Sequence, residues 1–354
     1  MTLKSTTKAL VALVMSFGFA YAGVTAEFHG MKGNASEKVK AFTETVGDIG
    51  YMTVANNENI QNFYFKQFNV KNLEYISFYT MINLEEIREL LLQNPDFGAF
   101  APFNFLAYKT LDTTNDNMTW YGHLNPDLML DIIGCKHGES KEKFKKMVGS
   151  LDAHAAKALK ADASKKVEFT KPLPKATLTK MVKKFERPED IESFVEDFIN
   201  KHNTAFTQHK FIIAGFIDIK FEYSDLELEF EKYDAYWVSS LCHFKFSNAV
   251  FNQNIHPQAG AFAPCSIYFY IPQGSNELHM GYAGIENWVS TTGIEDEALF
   301  KFMREIDDEV VTVFEELGFE LTQQTGNGDR ERQKNFKTIN KEAKPAADPD
   351  CSDA

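Results

Sequence analysis

One pentapeptide occurs twice in this chain, and the repeat constrains the fold more than any other feature of the sequence. "GAFAP" begins at Gly98 and again at Gly260, and a short apolar run follows each copy. At this offset of 162 residues, nine residues are identical over the 31 positions from Asn94 to Leu124, without a gap. Clustered self-similarity of this kind is typical of a repeated supersecondary unit. The sequence therefore predicts a tandem duplication.

The flanks of the repeat predict the same order of elements in both copies. In the first copy, "VTAEFHGM" predicts a strand, and the following residues predict a helix that Asn34 or Ser36 can cap. In the second copy, "KFIIAGFIDIKF" predicts a buried strand, and "SDLELEFEKYD" alternates as a strand with one solvated face does. The predicted fold class is α+β: two duplicated small modules, each a mainly antiparallel sheet packed with helices.

The repeated pentapeptide itself predicts a junction between a helix and a strand. Gly98 and Gly260 are expected to let the chain turn after a short helix, because glycine adopts conformations closed to other residues. Pro102 and Pro264 are tolerated at the start of a strand, where the missing N–H need not be paired. The apolar run then enters the sheet.

Prolines and changes in composition divide the chain into five predicted segments. Fourteen lysines lie between residues 136 and 184, and Pro172 and Pro174 mark a break before the second copy. The end of the chain is polar and almost free of aromatic residues, which is typical of disorder. The predicted segments are a signal peptide at 1–22, a first module at 23–135, a lysine-rich helical linker at 136–175, a second module at 176–322 and a disordered tail at 323–354.

The N-terminus predicts export. Lys4 and Lys8 precede an apolar run that ends in the small-x-small triplet Ala20-Tyr21-Ala22, the pattern of a secretory signal peptide cleaved near Ala22/Gly23. No later stretch is long and apolar enough to span a bilayer, so no membrane insertion is expected after cleavage. In a bacterium with two membranes, the expected location is the periplasm. The net charge of −13 disfavours nucleic-acid binding through phosphate groups.

Each copy resembles the domain of unknown function 302 family, a small bacterial α+β module. Its motif joins a helix that ends near an Asn-Pro pair to a strand with a Pro-Cys pair, followed by a hairpin. The second copy carries "HPQAGAFAPCSIYFY" with Cys265 in the matching place, whereas the first carries "NPDFGAFAPFNFLAY" with Phe103 there. The resemblance covers roughly residues 24–134 and 176–321, and it implies a fold but no particular reaction.

Cys265 is the candidate for chemistry, because it combines the family position with a reactive atom. A thiolate activated by His256 or His243 would be a nucleophile or a redox centre, and these three residues are the weak catalytic candidates. A cysteine that opens an apolar strand is also a common packing residue. A disulfide with Cys242 is a third possibility, since export permits oxidation.

Binding residues are expected among aromatic side chains at related hairpin positions. Trp120, Tyr121, Tyr282 and Trp288, together with Cys265, are the candidate ligand-binding residues, in a pocket between the modules. The histidine and cysteine spacings match no metal-site motif, and no cofactor signature is present, so neither a metal nor a cofactor is expected.

The predicted function is that of an exported periplasmic accessory or binding protein for an unknown small molecule or periplasmic protein. The alternative is a periplasmic thiol or redox enzyme that uses Cys265.

Overall fold

A computed structural model describes residues 23–111, 117–135 and 138–330 of the chain. The predicted signal peptide, Cys351 and the tail from residue 331 lie outside the described residues. Within the described ranges, no helix combines the length and the apolar character needed to cross a membrane.

The first module is built on a six-stranded antiparallel sheet. Its strands are β1 (Val24–Lys32), β2 (Met52–Asn57), β3 (Leu73–Ile82), β4 (Phe103–Thr110), β5 (Met118–Leu124) and β6 (Ala163–Glu168). Its helices are α1 (Ser36–Thr43), α2 (Gln61–Phe68), α3 (Leu84–Gln93), α4 (Pro126–Ile133) and α5 (Glu139–Leu159), with 3-10 turns at Val46–Ile49 and Pro95–Phe100. We call the second of these turns the first junction helix.

The second module repeats this plan. Its strands are β7 (Leu178–Lys184), β8 (Phe211–Asp218), β9 (Tyr233–His243), β10 (Cys265–Pro272), β11 (Glu277–Ala283) and β12 (Glu320–Gln323). Its helices are α6 (Ile191–Gln208), α7 (Ile219–Asp225), α8 (Phe244–Ser247), α9 (Ile285–Thr291) and α10 (Glu297–Glu316), with a π-helical turn at Asn248–Gln253 and a 3-10 turn at Pro257–Phe262. The last of these is the second junction helix.

The two sheets have the same topology, which confirms the duplication. The strand order is β2-β3-β4-β5-β1-β6 in the first sheet and β8-β9-β10-β11-β7-β12 in the second, so the strands correspond one to one in chain order. All pairings between these strands are antiparallel. The predicted α+β class with two duplicated modules is therefore correct.

The repeated pentapeptide connects a junction helix to a strand in both modules, but its glycines have another role than the one predicted. Neither Gly98 nor Gly260 has a positive φ, so neither is needed for a turn. Each junction helix instead packs on the sheet of the other module. A Cβ atom on Gly98 would lie 2.5 Å from Cβ of Tyr268, and one on Gly260 would lie 2.8 Å from Cε1 of Phe78. The glycines permit close approach between the modules.

Two equivalent hydrogen bonds, one in each direction, also join the modules. Nδ2 of Asn104 on β4 donates to the carbonyl oxygen of Pro264 at 3.0 Å, and Oγ of Ser266 on β10 donates to that of Pro102 at 3.3 Å. These four residues occupy equivalent positions in the two copies. The modules are therefore related by an approximate twofold arrangement, and one apolar core runs through both.

The first junction helix also makes polar contacts with the second sheet. The Oη atoms of Tyr236 and Tyr268 donate to the carbonyl oxygen of Pro95 and to Oδ1 of Asp96, both at 2.6 Å. Lys180 forms an ion pair with the other carboxylate oxygen of Asp96. Because hydrogen-bonded buried polar groups require a defined geometry, these contacts fix the position of one module on the other.

The strand predicted from "KFIIAGFIDIKF" exists, but it is not buried. β8 lies at the edge of the second sheet, where Ile212 and Phe216 are about two-fifths exposed, at 38% and 41%. It faces β2, the equivalent edge of the first sheet: Nδ2 of Asn57 donates to the carbonyl oxygen of Ala214 at 3.0 Å. The apolar run covers an inter-module surface instead of a sheet core.

The alternating segment "SDLELEFEKYD" does not form the predicted strand. Its first residues end α7, and turns follow up to β9. Phe230 is buried against Tyr223 and Tyr233, and Glu227 has a φ of +55°. Phe230 packs into this aromatic cluster from a segment of turns. The alternation of apolar and acidic residues is therefore not caused by a strand here.

The segment from 136 to 175 contributes a strand to the first sheet. α5 packs on the first module, and β6 pairs with β1 along its length. At the other end of the chain, residues 323–330 are ordered, although disorder was expected from 323. Arg330 is buried, and its guanidinium donates to the carboxylates of Asp307 at 2.5 Å and Asp308 at 2.7 Å. The chain up to Arg330 is thus part of the second module.

Candidate functional site

A groove of about 580 Å3 runs between the two modules, beside the facing edge strands β2 and β8. The first module lines it with Asn56, Asn57, Glu58, Ile60, Phe63 and Phe78, and the second with Ile212, Ala214, Cys242, Phe244, Phe251, Ala263 and Pro264. Most of this lining is apolar. Small-molecule sites are usually concave, largely apolar and about 300–1,000 Å3 in volume, so the groove has the size and character of such a site.

Aromatic pairs join the modules along the groove. The ring of Phe63 stacks on that of Phe244, with centroids 5.8 Å apart, and Phe78 meets Phe251 at 5.7 Å. Phe63 is nevertheless 49% exposed. Phe63 thus adds exposed apolar surface to the wall of the groove.

Behind the groove lies a smaller apolar cavity of about 50 Å3 inside the second module. Cys242, Phe251 and Ala263 line both spaces, so these three residues separate the cavity from the groove. The cavity also contacts Cys265, Tyr282 and Trp288. In the first module, the position of Cys265 is taken by Phe103, whose buried ring packs edge-on against Tyr51 and His123.

Both cysteines of the cavity are free thiols in this structure. Burial raises the pKa of Cys265 well above its ordinary value and raises that of Cys242 to about 11. A nucleophilic cysteine needs the opposite shift, because the thiolate is the reactive form. The surroundings of Cys265 therefore favour an inert thiol, and Cys242 and Cys265 do not form the disulfide that was one of the three possibilities for Cys265.

The two histidine candidates lie in different surroundings. His243 lines the cavity with Cys265, and its Nδ1 accepts a hydrogen bond from the backbone N–H of Phe246 at 3.2 Å, capping α8. His256 precedes the second junction helix and does not line the cavity. Burial lowers the pKa of both rings, so both favour the neutral form.

The aromatic candidates do not form one inter-module pocket. Tyr282 and Trp288 line the cavity of the second module, whereas Trp120 lies in the first module beneath Lys165, whose Nζ is 4.1 Å from the ring centroid. Tyr121 lines a separate polar pocket. Trp120 and Trp288 are both buried. Trp120 and Tyr282 occupy equivalent positions on β5 and β11, whereas Trp288 lies on α9, and the groove between the modules is lined by other residues.

The groove residues carry no sequence motif, and sequence analysis missed them. Phe63 lies on α2, and Phe244 follows β9. The signal in the sequence is the apolar character of β8, which by itself predicts burial within a sheet. Only the docking of the two modules makes these side chains into one surface.

The polar pocket of the first module, about 220 Å3 in volume, contains a histidine–aspartate pair. Nε2 of His123 donates to Asp152 at 2.8 Å, and Nδ1 donates to the carbonyl oxygen of Leu124 at 2.6 Å. Burial disfavours a charged ring, but the two acceptors outweigh it, so the pKa of His123 is raised. In the protonated ring, both N–H groups are committed to these acceptors, and the ring joins β5 to α5. Among the described residues, no group of three or more potential ligands is placed to hold a metal.

Comparison with known proteins finds similarity among solved structures. No protein-family model matches the sequence, and no curated protein is significantly similar to it. Among solved structures, the chain is similar to one described as the crystal structure of an uncharacterized conserved protein DUF302 from Bacillus stearothermophilus. The sequences are 14% identical, and the match covers 38% of this chain and 99% of that chain, with a TM-score of 0.32. This is the family that the sequence resembles.

Proposed function

We propose that this protein is an exported binding protein that holds an apolar small molecule in the groove between its two modules. The observation that carries the proposal is the groove of about 580 Å3, whose walls come from both modules and include the half-exposed Phe63. When a ligand covers exposed apolar surface of this kind, the free energy of binding becomes more favourable by about 25 cal/mol per Å2 of surface removed from water. Export to the periplasm is part of the proposal and rests on the N-terminal sequence.

Duplication supports this role. A single module would expose β2 or β8 as an open edge with apolar side chains, whereas two modules turn the edges toward each other and leave a concave space between them. Concave apolar spaces between domains are preferred places for small ligands.

The test is a titration of the protein, without residues 1–22, with the neutral fluorescent probe N-phenyl-1-naphthylamine. We expect a saturable increase in fluorescence with micromolar affinity. Ala214→Trp should weaken binding about tenfold or more, equivalent to about 1.4 kcal/mol, because the indole would occupy the groove. Ala158→Trp is the matched control, because Ala158 is exposed on α5 of the first module and lines none of these spaces.

Two results would overturn the proposal. The first is the absence of saturable probe binding by a folded protein. The second is an equal loss of affinity in the two tryptophan variants, since it would place the probe outside the groove. Circular dichroism spectra of both variants establish that they are folded.

A further inference from the structure

A basic pocket adjoins the apolar groove. It has a volume of about 550 Å3, and it shares Ile212 and Phe244 with the groove and His243 with the inner cavity. α2 of the first module forms its other side. We call this pocket the mouth. The apolar groove thus has a polar pocket directly beside it, and the two share part of their walls.

The charge of the mouth is opposite to that of the chain. Lys210 and Lys245 are exposed in it, and among the described residues neither forms an ion pair with a carboxylate; Nζ of Lys245 lies 5.4 Å from the ring centroid of Phe302. The acid that lines the mouth is Glu309, which is paired with Nδ1 of His209 at 3.0 Å. On a chain of net charge −13, the mouth thus holds two lysines against the one carboxylate of Glu309, an excess of positive charge that attracts anions.

His243 adds a neutral donor between the mouth and the cavity. Its Nδ1 accepts from the backbone N–H of Phe246, so in the neutral ring the proton is on Nε2. Burial lowers its pKa and keeps the ring neutral, while Lys210 and Lys245 nearby act in the same direction and Glu309 opposes them. Among the described residues, the structure gives the N–H of Nε2 no hydrogen-bond acceptor, and the ring lines both the mouth and the cavity.

We infer that the ligand is a long-chain carboxylate, with its chain in the groove and its carboxylate at Lys210 and Lys245. This inference rests on the proposed function, because it names the chemical class of the molecule that occupies the same groove. The apolar walls select the chain, whereas the two ammonium groups select an anionic head group over a neutral one. No bond is made or broken in this event.

The experiment compares palmitate with hexadecanol as competitors of the bound N-phenyl-1-naphthylamine, with direct calorimetry of palmitate binding. The two molecules have the same chain length and differ in head-group charge. We expect palmitate to bind about tenfold more tightly, the combined effect of two exposed ion pairs. This preference should fall as salt is added.

The double variant Lys210→Gln/Lys245→Gln should lose the preference for palmitate and keep its affinity for hexadecanol and for the probe. The control Lys146→Gln/Lys157→Gln removes two exposed lysines from α5 and should keep the preference.

The outcomes separate the two proposals. If neither the probe nor palmitate binds, both are refuted. If the probe binds and palmitate has no advantage over hexadecanol, or keeps its advantage in the Lys210/Lys245 variant, the groove remains a binding site but the carboxylate assignment is wrong.

Discussion

Replacing Gly98 with alanine tests whether close approach between the modules is the reason for the repeated pentapeptide. A methyl group at this position would lie 2.2 Å from Oη of Tyr236 and 2.5 Å from Cβ of Tyr268. Gly98 has no positive φ, so alanine fits its backbone conformation and the only conflict is steric. The side chain would enter the interface between the first junction helix and the second sheet.

The expected cost follows from which atoms must move. Overpacking a well-packed interior costs about 1–3 kcal/mol. Cβ of Tyr268 is attached to the backbone of the internal strand β10, so it can move only with the sheet, and Tyr236 would lose its hydrogen bond to Pro95. We therefore expect Gly98→Ala to lower the free energy of unfolding by about 3 kcal/mol. Gly260→Ala meets only the ends of Phe78 and Leu106, so about 1 kcal/mol is expected.

Urea unfolding followed by fluorescence measures these differences. Gly149→Ala is the control, because Gly149 lies inside α5 with no atom within 4 Å of a built Cβ. This change should raise stability by about 0.5–1 kcal/mol, since alanine is a better helix former. If Gly98→Ala is as stable as the natural protein or as Gly149→Ala, the packing explanation of the repeat is refuted.

Four further outcomes are expected. Phe103→Cys should cost about 3 kcal/mol in urea unfolding, because it empties a packed site, whereas Cys265→Ala beside the cavity should cost about 1 kcal/mol; equal losses would contradict the difference in packing. The thiol of Cys265 should react with iodoacetamide more slowly in the folded than in the denatured protein, because burial raises its pKa; fast labelling at neutral pH would favour the thiol enzyme. Because the pKa of His123 is raised, its pairing stabilises the fold fully below the unfolded pKa of about 6.5, and this stability is lost as pH rises through the folded pKa. Asp152→Asn should therefore lower the free energy of unfolding by about 1 kcal/mol at pH 6, a small value because the carboxylate is half exposed, and by less at pH 9. A loss that is the same at both pH values would contradict the pairing. Arg330→Met leaves its partner carboxylate buried and unpaired, so thermal denaturation should show a loss of about 3–5 kcal/mol; an unchanged melting temperature would mean that residues 323–330 do not stabilise the module.

Local sequence predicted most of the architecture. The repeat at an offset of 162 residues predicted two modules, and their strand orders are identical. The strand from "VTAEFHGM" and the helix–strand junction at GAFAP follow from periodicity and proline chemistry, which depend on neighbouring residues alone. β6 and the segment up to Arg330 were missed, because pairing with β1 and with Asp307 involves residues far apart in the chain.

The structure places the candidate site residues in different parts of the molecule. Cys265, Tyr282 and Trp288 do line one cavity, whereas Trp120 and Tyr121 are elsewhere. Sequence spacing contains no information on how the two modules dock. The groove follows from docking, and so its residues could not be recognised.

The sequence by itself determined the duplication, the α+β class and the junction at each GAFAP, because these depend on periodicity, turn chemistry and self-similarity. Only the tertiary structure decided why the glycines recur, which edges face each other and where a ligand would fit. The physical reason is that burial depends on the whole fold: Ile212 on β8 looks like a core residue in sequence, but it lines an open groove because its strand is at the edge of a sheet opposite β2.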